Sequence, residues 1–202
     1  MSRAVLFDAD GVLTLPEDFF SRAYATKHGL DLSPIDTFFK GPFQDTTIGD
    51  ADLKELLVAH KDIWQHDSVD ALLDEWFAFE DVRNESLLKL VATLRERGTS
   101  CYVATNQEKY RGNYMREVMF KNQFDGFYIS NEMHRMKPHA DYFEYVLKHL
   151  QAKYPDMTPA DVWFFDDSQP NIDAARALGI EAHFYTDVTQ VEQLLKQNNG
   201  NS

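Results

Sequence analysis

The sequence predicts an α/β fold in which a doubly wound parallel sheet carries a small helical segment inserted after its first strand. A short apolar run at residues 4–7 stops at polar residues, a pattern that is typical of a buried strand. From residue 83 onward, strand patterns and helix patterns alternate, which indicates parallel strands with helices on both faces of the sheet. Residues 15–80, in contrast, contain helical patterns and no strand pattern.

The 202 residues suffice for one domain of ordinary size or for a core with a modest insert. We predict a core domain formed by residues 1–15 and 80–202 and a helical domain formed by residues 16–79. Four or five short helices are expected in this insert, with breaks at Pro16, Gly29 and Gly41-Pro42. Apolar residues at helical spacing mark the buried faces of these helices: Phe20, Ala23, Tyr24, Leu53, Leu56, Leu57, Trp64, Val69, Leu72, Leu73, Trp76 and Phe77.

After the insert, the chain shows four further strand patterns separated by helix patterns. The strands are predicted at residues 101–104, 127–129, 162–165 and 182–185. The helices are predicted from the capping residue Asn84 to Gly98, at about 108–120, at 139–151 and at 169–178. Apolar positions within 188–195 mark the last helix, and the polar tail 197–202 is expected to fray.

The formal net charge of −13 limits the partners that the protein can bind. Such a charge repels nucleic acid and anionic membranes, so neither is a predicted partner. No apolar run approaches the length of a membrane span. A site for anionic substrates would need a metal ion or a few cations to reverse the local field. The sequence does not distinguish a monomer from a homodimer.

Cysteine usage bears on the compartment. Cys101 is the single cysteine, so no internal disulfide forms, and a reducing cytoplasm is the predicted location. Because Cys101 begins an apolar strand pattern, we expect it to be buried rather than nucleophilic. No signal peptide is predicted, because the N-terminal apolar run is broken at Asp8.

Polar residues follow four of the predicted strands, at the points where those strands end. In open parallel sheets, ligands bind at the carboxyl ends of the strands, near the point where the strand order reverses. The residues expected to meet there are Asp8, Asp10, Thr105, Asn106, Lys137, Asp166 and Asp167. The Asp8–Gly11 stretch alone also fits plain turn chemistry, since Asp and Gly favour turns. The convergence of four separate segments favours a functional site.

This set of side chains suits phosphoryl transfer. Carboxylates and a backbone carbonyl are the ligands that Mg²⁺ prefers. A carboxylate can also attack phosphorus and form an aspartyl-phosphate. A lysine and hydroxyl or amide donors supply the positioning and charge neutralisation that the reaction requires.

The ordered motifs resemble those of the haloacid dehalogenase-like (HAD) hydrolase superfamily. They are Phe7-Asp8-Ala9-Asp10-Gly11-Val12-Leu13, Ala104-Thr105-Asn106, Lys137-Pro138, and Phe164-Phe165-Asp166-Asp167-Ser168 with Asn171. The resemblance implies a Rossmann-like HAD core with the helical insert as a cap of type 1. Among the branches of the superfamily, the chain looks most similar to small phosphatases related to the phosphatase domain of soluble epoxide hydrolase.

The resemblance also implies a role for each motif residue. Asp8 would attack phosphorus, and Asp10 would protonate the leaving oxygen and then activate water. Thr105 and the amide of Asn106 would hold the phosphoryl oxygens, and Lys137 would neutralise charge on Asp8 and the phosphate. The implied Mg²⁺ ligands are Asp8, the backbone carbonyl of Asp10, Asp167, and Asp166 through water. Ser168 and Asn171 would brace that loop.

The presence of an acid at Asp10 distinguishes a phosphatase from a dehalogenase within the family that the motifs resemble. The dehalogenases that give the superfamily its name lack a second acid at this position and need no metal, so the sequence favours a Mg²⁺-dependent phosphatase acting on a small phosphate ester. Two alternatives remain open: a phosphomutase that uses the same aspartyl-phosphate, and a catalytically silent regulatory protein.

Histidine, arginine and phenylalanine residues outside the motifs have structural as well as functional explanations. His134 and His139 flank the Lys137 motif and are expected to be solvated loop residues. Arg111 is expected on the surface, with an approach to the site as the alternative. Phe38, Phe39 and Phe43 fit equally a packing role and contact with the leaving group of a substrate.

Overall fold

A computed structural model of the chain describes residues 4–199 and the side chains of residues 4–196. All strands of its five-stranded sheet run parallel, in the order β3-β2-β1-β4-β5. The strands are β1 (Ala4–Phe7), β2 (Ser100–Thr105), β3 (Gly126–Ile129), β4 (Val162–Asp166) and β5 (Glu181–Phe184). The prediction of an α/β fold with a parallel sheet is therefore confirmed, and the predicted strand ends differ from the observed ends by at most one residue.

The insert between β1 and the next core helix is helical. It contains α1 (Phe20–His28), α2 (Leu32–Lys40), α3 (Pro42–Thr47), α4 (Leu53–Ala59) and α5 (Val69–Glu80). Aspartate and serine side chains cap three of these helices by accepting backbone hydrogen bonds: Asp31 for α2, Asp52 for α4 and Ser68 for α5. The insert has its own apolar cluster, which includes Phe20, Tyr24, Phe38, Leu57, Trp64, Leu73 and Trp76.

The core helices are α6 (Glu85–Glu96), α7 (Lys109–Tyr114), α8 (Ser130–Met133), α9 (Ala140–Lys153), α10 (Gln169–Ala177) and α11 (Val188–Asn199). The helix predicted at about 108–120 is divided, because α7 continues into a π-helical turn at Met115–Met119. The tail prediction is wrong for residues 197–199, which extend α11, since its polar residues continue a helix without a breaker. Residues 200–202 lie outside the described part of the chain.

Side chains alternate between two cores along each buried strand, as the period of a strand requires. Val5 and Phe7 of β1 face a cluster built with α6 and α11, whereas Ala4 and Leu6 face a cluster built with α9 and α10. Helices therefore cover both faces of the sheet, which is the doubly wound arrangement that the sequence predicts.

The strand order reverses beside β1. Connections from β1 lead through β2 to β3 on one side, while β4 and β5 lie on the other side. In such sheets the crevice outside the carboxyl ends of the strands at this reversal is the usual ligand site. Asp8 follows β1, and Asp166 ends β4. The fold thus brings the two acidic motifs to adjacent strand ends.

Candidate active site at the carboxyl end of the sheet

The loop after β1 is a tight turn that presents two carboxylates. The Asp8 amide donates to the carbonyl of Phe165 (2.9 Å), which ties the start of the loop to β4. The amides of Leu13 and Thr14 both donate to the carbonyl of Ala9 (2.8 Å each) and close the turn. Gly11 adopts a φ of +81°, a left-handed conformation that favours glycine.

Lys137 joins the acids of β1 and β4. Its Nζ lies 2.8 Å from Asp8 Oδ1 and 2.6 Å from Asp166 Oδ2. All three side chains are buried, with residue exposures of 2% for Lys137, 9% for Asp8 and 0% for Asp166. The Asn106 side chain fixes the Lys137 backbone, donating to its carbonyl (2.7 Å) and accepting from its amide (2.9 Å).

Burial and charge set the protonation of this group. Burial raises the pKa of Asp8 to about 7, and the charge of Asp166 adds to this effect, although the Lys137 ammonium opposes it. Burial lowers the pKa of Lys137, but the carboxylates of Asp8 and Asp166 outweigh that effect and raise it, so the ammonium stays charged. When both carboxylates are ionised, this group holds two negative charges against the single positive charge of Lys137.

Asp166 and Asp167 are adjacent in sequence but face different surroundings. Asp166 accepts from the Ser168 amide (2.8 Å) and from Asn171 Nδ2 (3.0 Å to each oxygen), so both of its oxygens are held. Asp167 is exposed, and its carboxylate lies against Gly11, where an added Cβ would collide with Oδ2. A side chain at position 11 would therefore displace Asp167.

The described residues include one cluster of acids fit for a metal ion. Ligand oxygens of Asp8, Asp166 and Asp167 lie within 4.8 Å of one another. The donors are carboxylates alone, which suits a hard divalent cation such as Mg²⁺ and not a soft transition metal. Burial is the main cause of the raised pKa of Asp8, and an added cation would offset the smaller contribution from the charge of Asp166. The residues present therefore fit a divalent metal.

Asp10 is bound by Arg111, whose first predicted location was the protein surface. Arg111 is 3% exposed and donates to both carboxylate oxygens of Asp10. Its Nη1 lies 2.7 Å from Oδ2, and its Nη2 lies 2.6 Å from Oδ1. Thr14 and Gln107 donate to the same carboxylate (2.9 and 2.8 Å). The surface prediction for Arg111 is wrong because α7 aims this side chain at the strand ends, and the alternative, an approach to the site, is correct.

The environment of Asp10 keeps its carboxylate ionised. Burial raises the pKa of Asp10, but the charge and hydrogen bonds of Arg111, with the bonds from Thr14 and Gln107, lower it further than burial raises it. Arg111 Nε also lies 2.9 Å from Glu80 Oε2 at the end of α5. Burial raises the pKa of Glu80 to about 7, against the opposing charge of Arg111. One guanidinium thus links the insert to Asp10.

The remaining motif residues border the same space. A cavity of about 570 Å³, here termed the strand-end cavity, is lined by predicted site residues from all four segments: Asp8, Asp10, Thr105, Asn106, Lys137, Asp167 and Asn171. Thr105 is the last residue of β2 and is almost fully buried. The structure therefore brings the predicted site residues into one cavity, with Asp166 behind it as the partner of Lys137.

Three residues at this site were not assigned to it by motif. Gln107 follows Asn106 directly, Arg111 lies one helical turn further, and Glu80 falls at the predicted domain boundary. Proximity to a motif was the available signal for Gln107 and Arg111. No sequence pattern pointed to Glu80.

Other candidate groups lie outside the site. Burial raises the pKa of the Cys101 thiol to about 12, so this cysteine stays a protonated core residue, as predicted. His134 Nδ1 lies 2.8 Å from the carbonyl of Ile48, in contact with the insert. Among residues 4–199, none of the helices combines the length and apolar character that crossing a lipid bilayer requires.

The chain is a Rossmann-like α/β protein with an acidic cavity at the carboxyl end of its sheet. A family model described as haloacid dehalogenase-like hydrolase matches residues 2–179, and the chain belongs to this family. The cap type and the link to soluble epoxide hydrolase stay predictions.

Three known proteins illustrate the relationship. A sesquiterpene phosphatase of Aspergillus oryzae is 32% identical over 108 residues, which are 53% of this chain and 51% of the relative, so the match spans about half of that protein. A HAD family enzyme of Bacteroides thetaiotaomicron, crystallised with magnesium and inorganic phosphate, superposes with a TM-score of 0.78, 22% identity and coverage of 95% of this chain and 99% of that chain. A HAD-like hydrolase of Porphyromonas gingivalis gives a TM-score of 0.75, 21% identity and coverage of 96% and 98%. The two structures support the fold alone.

Proposed function

We propose that this hydrolase is a Mg²⁺-dependent phosphomonoesterase that forms an aspartyl-phosphate on Asp8. The observation that carries the proposal is the position of Asp8, which borders the strand-end cavity while Lys137 holds one of its oxygens and two further acids lie close by. The phosphatase activity of the Aspergillus relative and the magnesium and phosphate in the Bacteroides structure agree with it.

Asp8, the Asp10 carbonyl and Asp167 would hold the ion, with Asp166 acting through water. When bound, the ion neutralises phosphate and carboxylate charge and lowers the repulsion between the two. Lys137 adds a fixed positive charge at 2.8 Å from Asp8 Oδ1. The Thr105 hydroxyl and the Asn106 amide are assigned to the phosphoryl oxygens.

The proposed first step breaks the bond between phosphorus and the ester oxygen. Asp8 Oδ1 is occupied by Lys137 and by the Ala9 amide (2.7 Å), so we assign the attack to Oδ2. A bond forms between Oδ2 and phosphorus, the electron pair of the broken bond stays on the departing oxygen, and a proton from Asp10 converts this oxygen to the alcohol. In the second step, water attacks phosphorus, Asp10 takes its proton, and the carboxylate of Asp8 is released.

Asp10 is held in the state that the second step requires. Arg111, Thr14 and Gln107 keep its carboxylate ionised and aimed, as a base for water must be. To act as an acid in the first step, Asp10 must first acquire a proton against these contacts. Arg111 is therefore a positioning residue: it fixes the Asp10 carboxylate in place for both steps and favours the ionised state that the second step uses.

The insert is proposed to serve as a cap, with the boundaries 16–79 that the sequence predicts. Its separate apolar cluster and the ion pair between Glu80 and Arg111 support this role. The pair connects the last helix of the insert to the acid-base residue.

We expect Arg111→Met to lower kcat by about 10- to 100-fold, as loss of a buried orienting partner commonly does. KM should change less, because Arg111 contacts Asp10 and not the phosphoryl-binding residues. Arg116→Met is the matched control, since Arg116 pairs with Glu132 on the surface and should leave kcat unchanged. Steady-state phosphate release measures both variants, and equal kcat values for them would contradict the positioning role.

Removal of the metal tests the proposed function. We expect phosphate release in Mg²⁺ buffer, its loss in excess EDTA and its full return when Mg²⁺ is added back, because Asp8 and its neighbours need a cation to accept a phosphate dianion. Assays on a hexose phosphate should follow phosphate release and isomerisation together, which separates a phosphatase from a phosphomutase. Full activity in EDTA would reject the metal requirement.

A further inference from the structure

A second cavity lies beside the strand-end cavity and extends into the helical insert. Its volume is about 570 Å³, within the range of small-molecule sites. It is bordered by α1, α2, α3 and α5 of the insert, and we term it the insert cavity. Asp10, Phe19, Glu80 and Asn106 line both cavities, so the insert cavity adjoins the point at which an ester oxygen would leave.

Aromatic rings form a continuous wall of the insert cavity. Phe39 packs against Trp76 (5.1 Å between ring centroids) and against Phe43 (5.2 Å), and Phe20 stacks on Trp76 (5.2 Å). Phe19 is 74% exposed and stands where the two cavities meet. An exposed phenylalanine at the mouth of an aromatic cavity provides apolar surface, and covering that surface with an apolar ligand is favourable because it removes it from water.

The charged residues of the insert cavity are paired with one another or with close neighbours. Lys40 Nζ lies 3.5 Å from an Asp36 carboxylate oxygen, and Arg22 Nη1 lies 3.0 Å from Asp18 Oδ1. Arg111 forms an ion pair with Asp10. The lining contains three acids and three bases, so its formal charge is zero: Asp10, Asp36, Glu80, Arg22, Lys40 and Arg111. Every cation of this lining therefore has an acidic partner, and the lining carries no excess positive charge that would select for a second anionic group on the substrate.

The polar amides of the insert cavity are also engaged. Gln107 Nε2 donates to Asp10 (2.8 Å), and Gln44 Nε2 donates to the carbonyl of Phe39 (2.7 Å). A sugar or a nucleotide in this space would need donors and acceptors for its hydroxyls, and desolvating those hydroxyls without partners is costly. The aromatic wall instead favours a hydrocarbon group.

We propose that the substrate is a phosphate monoester of an apolar alcohol, with its hydrocarbon part in the insert cavity and no second charged group. This inference rests on the proposed phosphatase function and adds the substrate class. It follows from the aromatic wall, the paired charges and the shared boundary with the strand-end cavity. Binding energy from the hydrocarbon part would then position the ester bond against Asp8.

A homologous series of n-alkyl monophosphates, from ethyl to decyl phosphate, tests the proposal on the unmodified enzyme with Mg²⁺. The departing alcohols in this series have nearly equal chemical reactivity, so differences in kcat/KM report contact with the chain. Each methylene that becomes buried is expected to raise kcat/KM about fourfold, which corresponds to about 0.8 kcal/mol, until the cavity is filled. Glucose 6-phosphate and glycerol phosphate serve as polar comparators.

The outcomes separate the two proposals. A kcat/KM that is independent of chain length, or higher for glucose 6-phosphate than for decyl phosphate, overturns the apolar substrate class and leaves the phosphatase function standing. Absence of phosphate release from every ester overturns the phosphatase function and this inference with it. Phe39→Asn should lower the decyl to ethyl ratio of kcat/KM, whereas Phe184→Ser, an exposed residue that lines neither cavity, should leave the ratio unchanged.

Discussion

Asp8→Asn is expected to abolish turnover, lowering kcat by at least about 10⁴-fold, because an amide cannot attack phosphorus and form the acyl phosphate. The substitution preserves shape, and the Ala9 amide and Lys137 can still donate to the remaining carbonyl oxygen. We therefore expect the variant to fold and to keep its melting temperature within a few degrees. Phosphate release and thermal unfolding measure the two effects.

A matched control for this substitution lies far from the site. Asp125 is likewise an aspartate that accepts from a basic side chain, Arg95, and from a backbone amide, that of Cys101. Asp125→Asn should leave kcat near the level of the unmodified enzyme. If Asp8→Asn kept kcat within tenfold of that level, another residue would be the nucleophile and the proposed mechanism would be rejected.

Lys137→Met is expected to damage stability and activity together. Lys137 neutralises two buried carboxylates, and removal of one partner of a buried ion pair typically lowers the free energy of unfolding by about 3–5 kcal/mol. Loss of the ammonium should also lower kcat by about 10²- to 10³-fold, as loss of one donor at a developing charge does. Chemical denaturation in EDTA and phosphate release in Mg²⁺ separate the two quantities.

A second substitution distinguishes these two roles of Lys137. Asp166 is fully buried and pairs with Lys137 at 2.6 Å. The double variant Lys137→Met with Asp166→Asn therefore removes the lysine and also one of the two carboxylate charges that would lose their partner. This double variant should regain much of the lost stability and none of the lost activity. Lys196→Met, on an exposed pair with Glu192, is the control and should change neither. Recovery of activity in the double variant would contradict the catalytic role.

Much of the sheet was predictable, and so was the set of residues around the strand-end cavity. Buried parallel strands are short apolar runs, and each polar residue that follows such a run falls at the same edge of the sheet. That rule places Asp8, Thr105 and Asp167 without knowledge of any contact. The sequence could not predict that Asp166 turns inward to Lys137, because the two residues are 29 positions apart and lie in separate segments of the chain.

Contacts made by helices were harder to predict than those made at strand ends. Arg111 lies on a short helix whose rotation about its axis is set by packing against the sheet and the insert, and a lone arginine is most often a surface residue. Glu80 is the last residue of α5 and forms an ion pair with Arg111, which lies on a core helix. The aromatic spacing of the insert predicted packing for Trp76 and Phe77. It did not predict the cavity that Trp76 borders together with Phe20, Phe39 and Phe43.

The central claim is that the phosphoryl group passes through a covalent bond to Asp8, and acid quenching followed by borohydride reduction tests it most directly. In Asp10→Asn, water activation in the second step is impaired, whereas an ester with a good leaving group, such as p-nitrophenyl phosphate, needs little help from an acid in the first step. The acyl phosphate should therefore accumulate in this variant. Peptide mass spectrometry is expected to find homoserine at position 8 after reduction; homoserine at another aspartate, or none at any position while p-nitrophenol is released, would contradict the account.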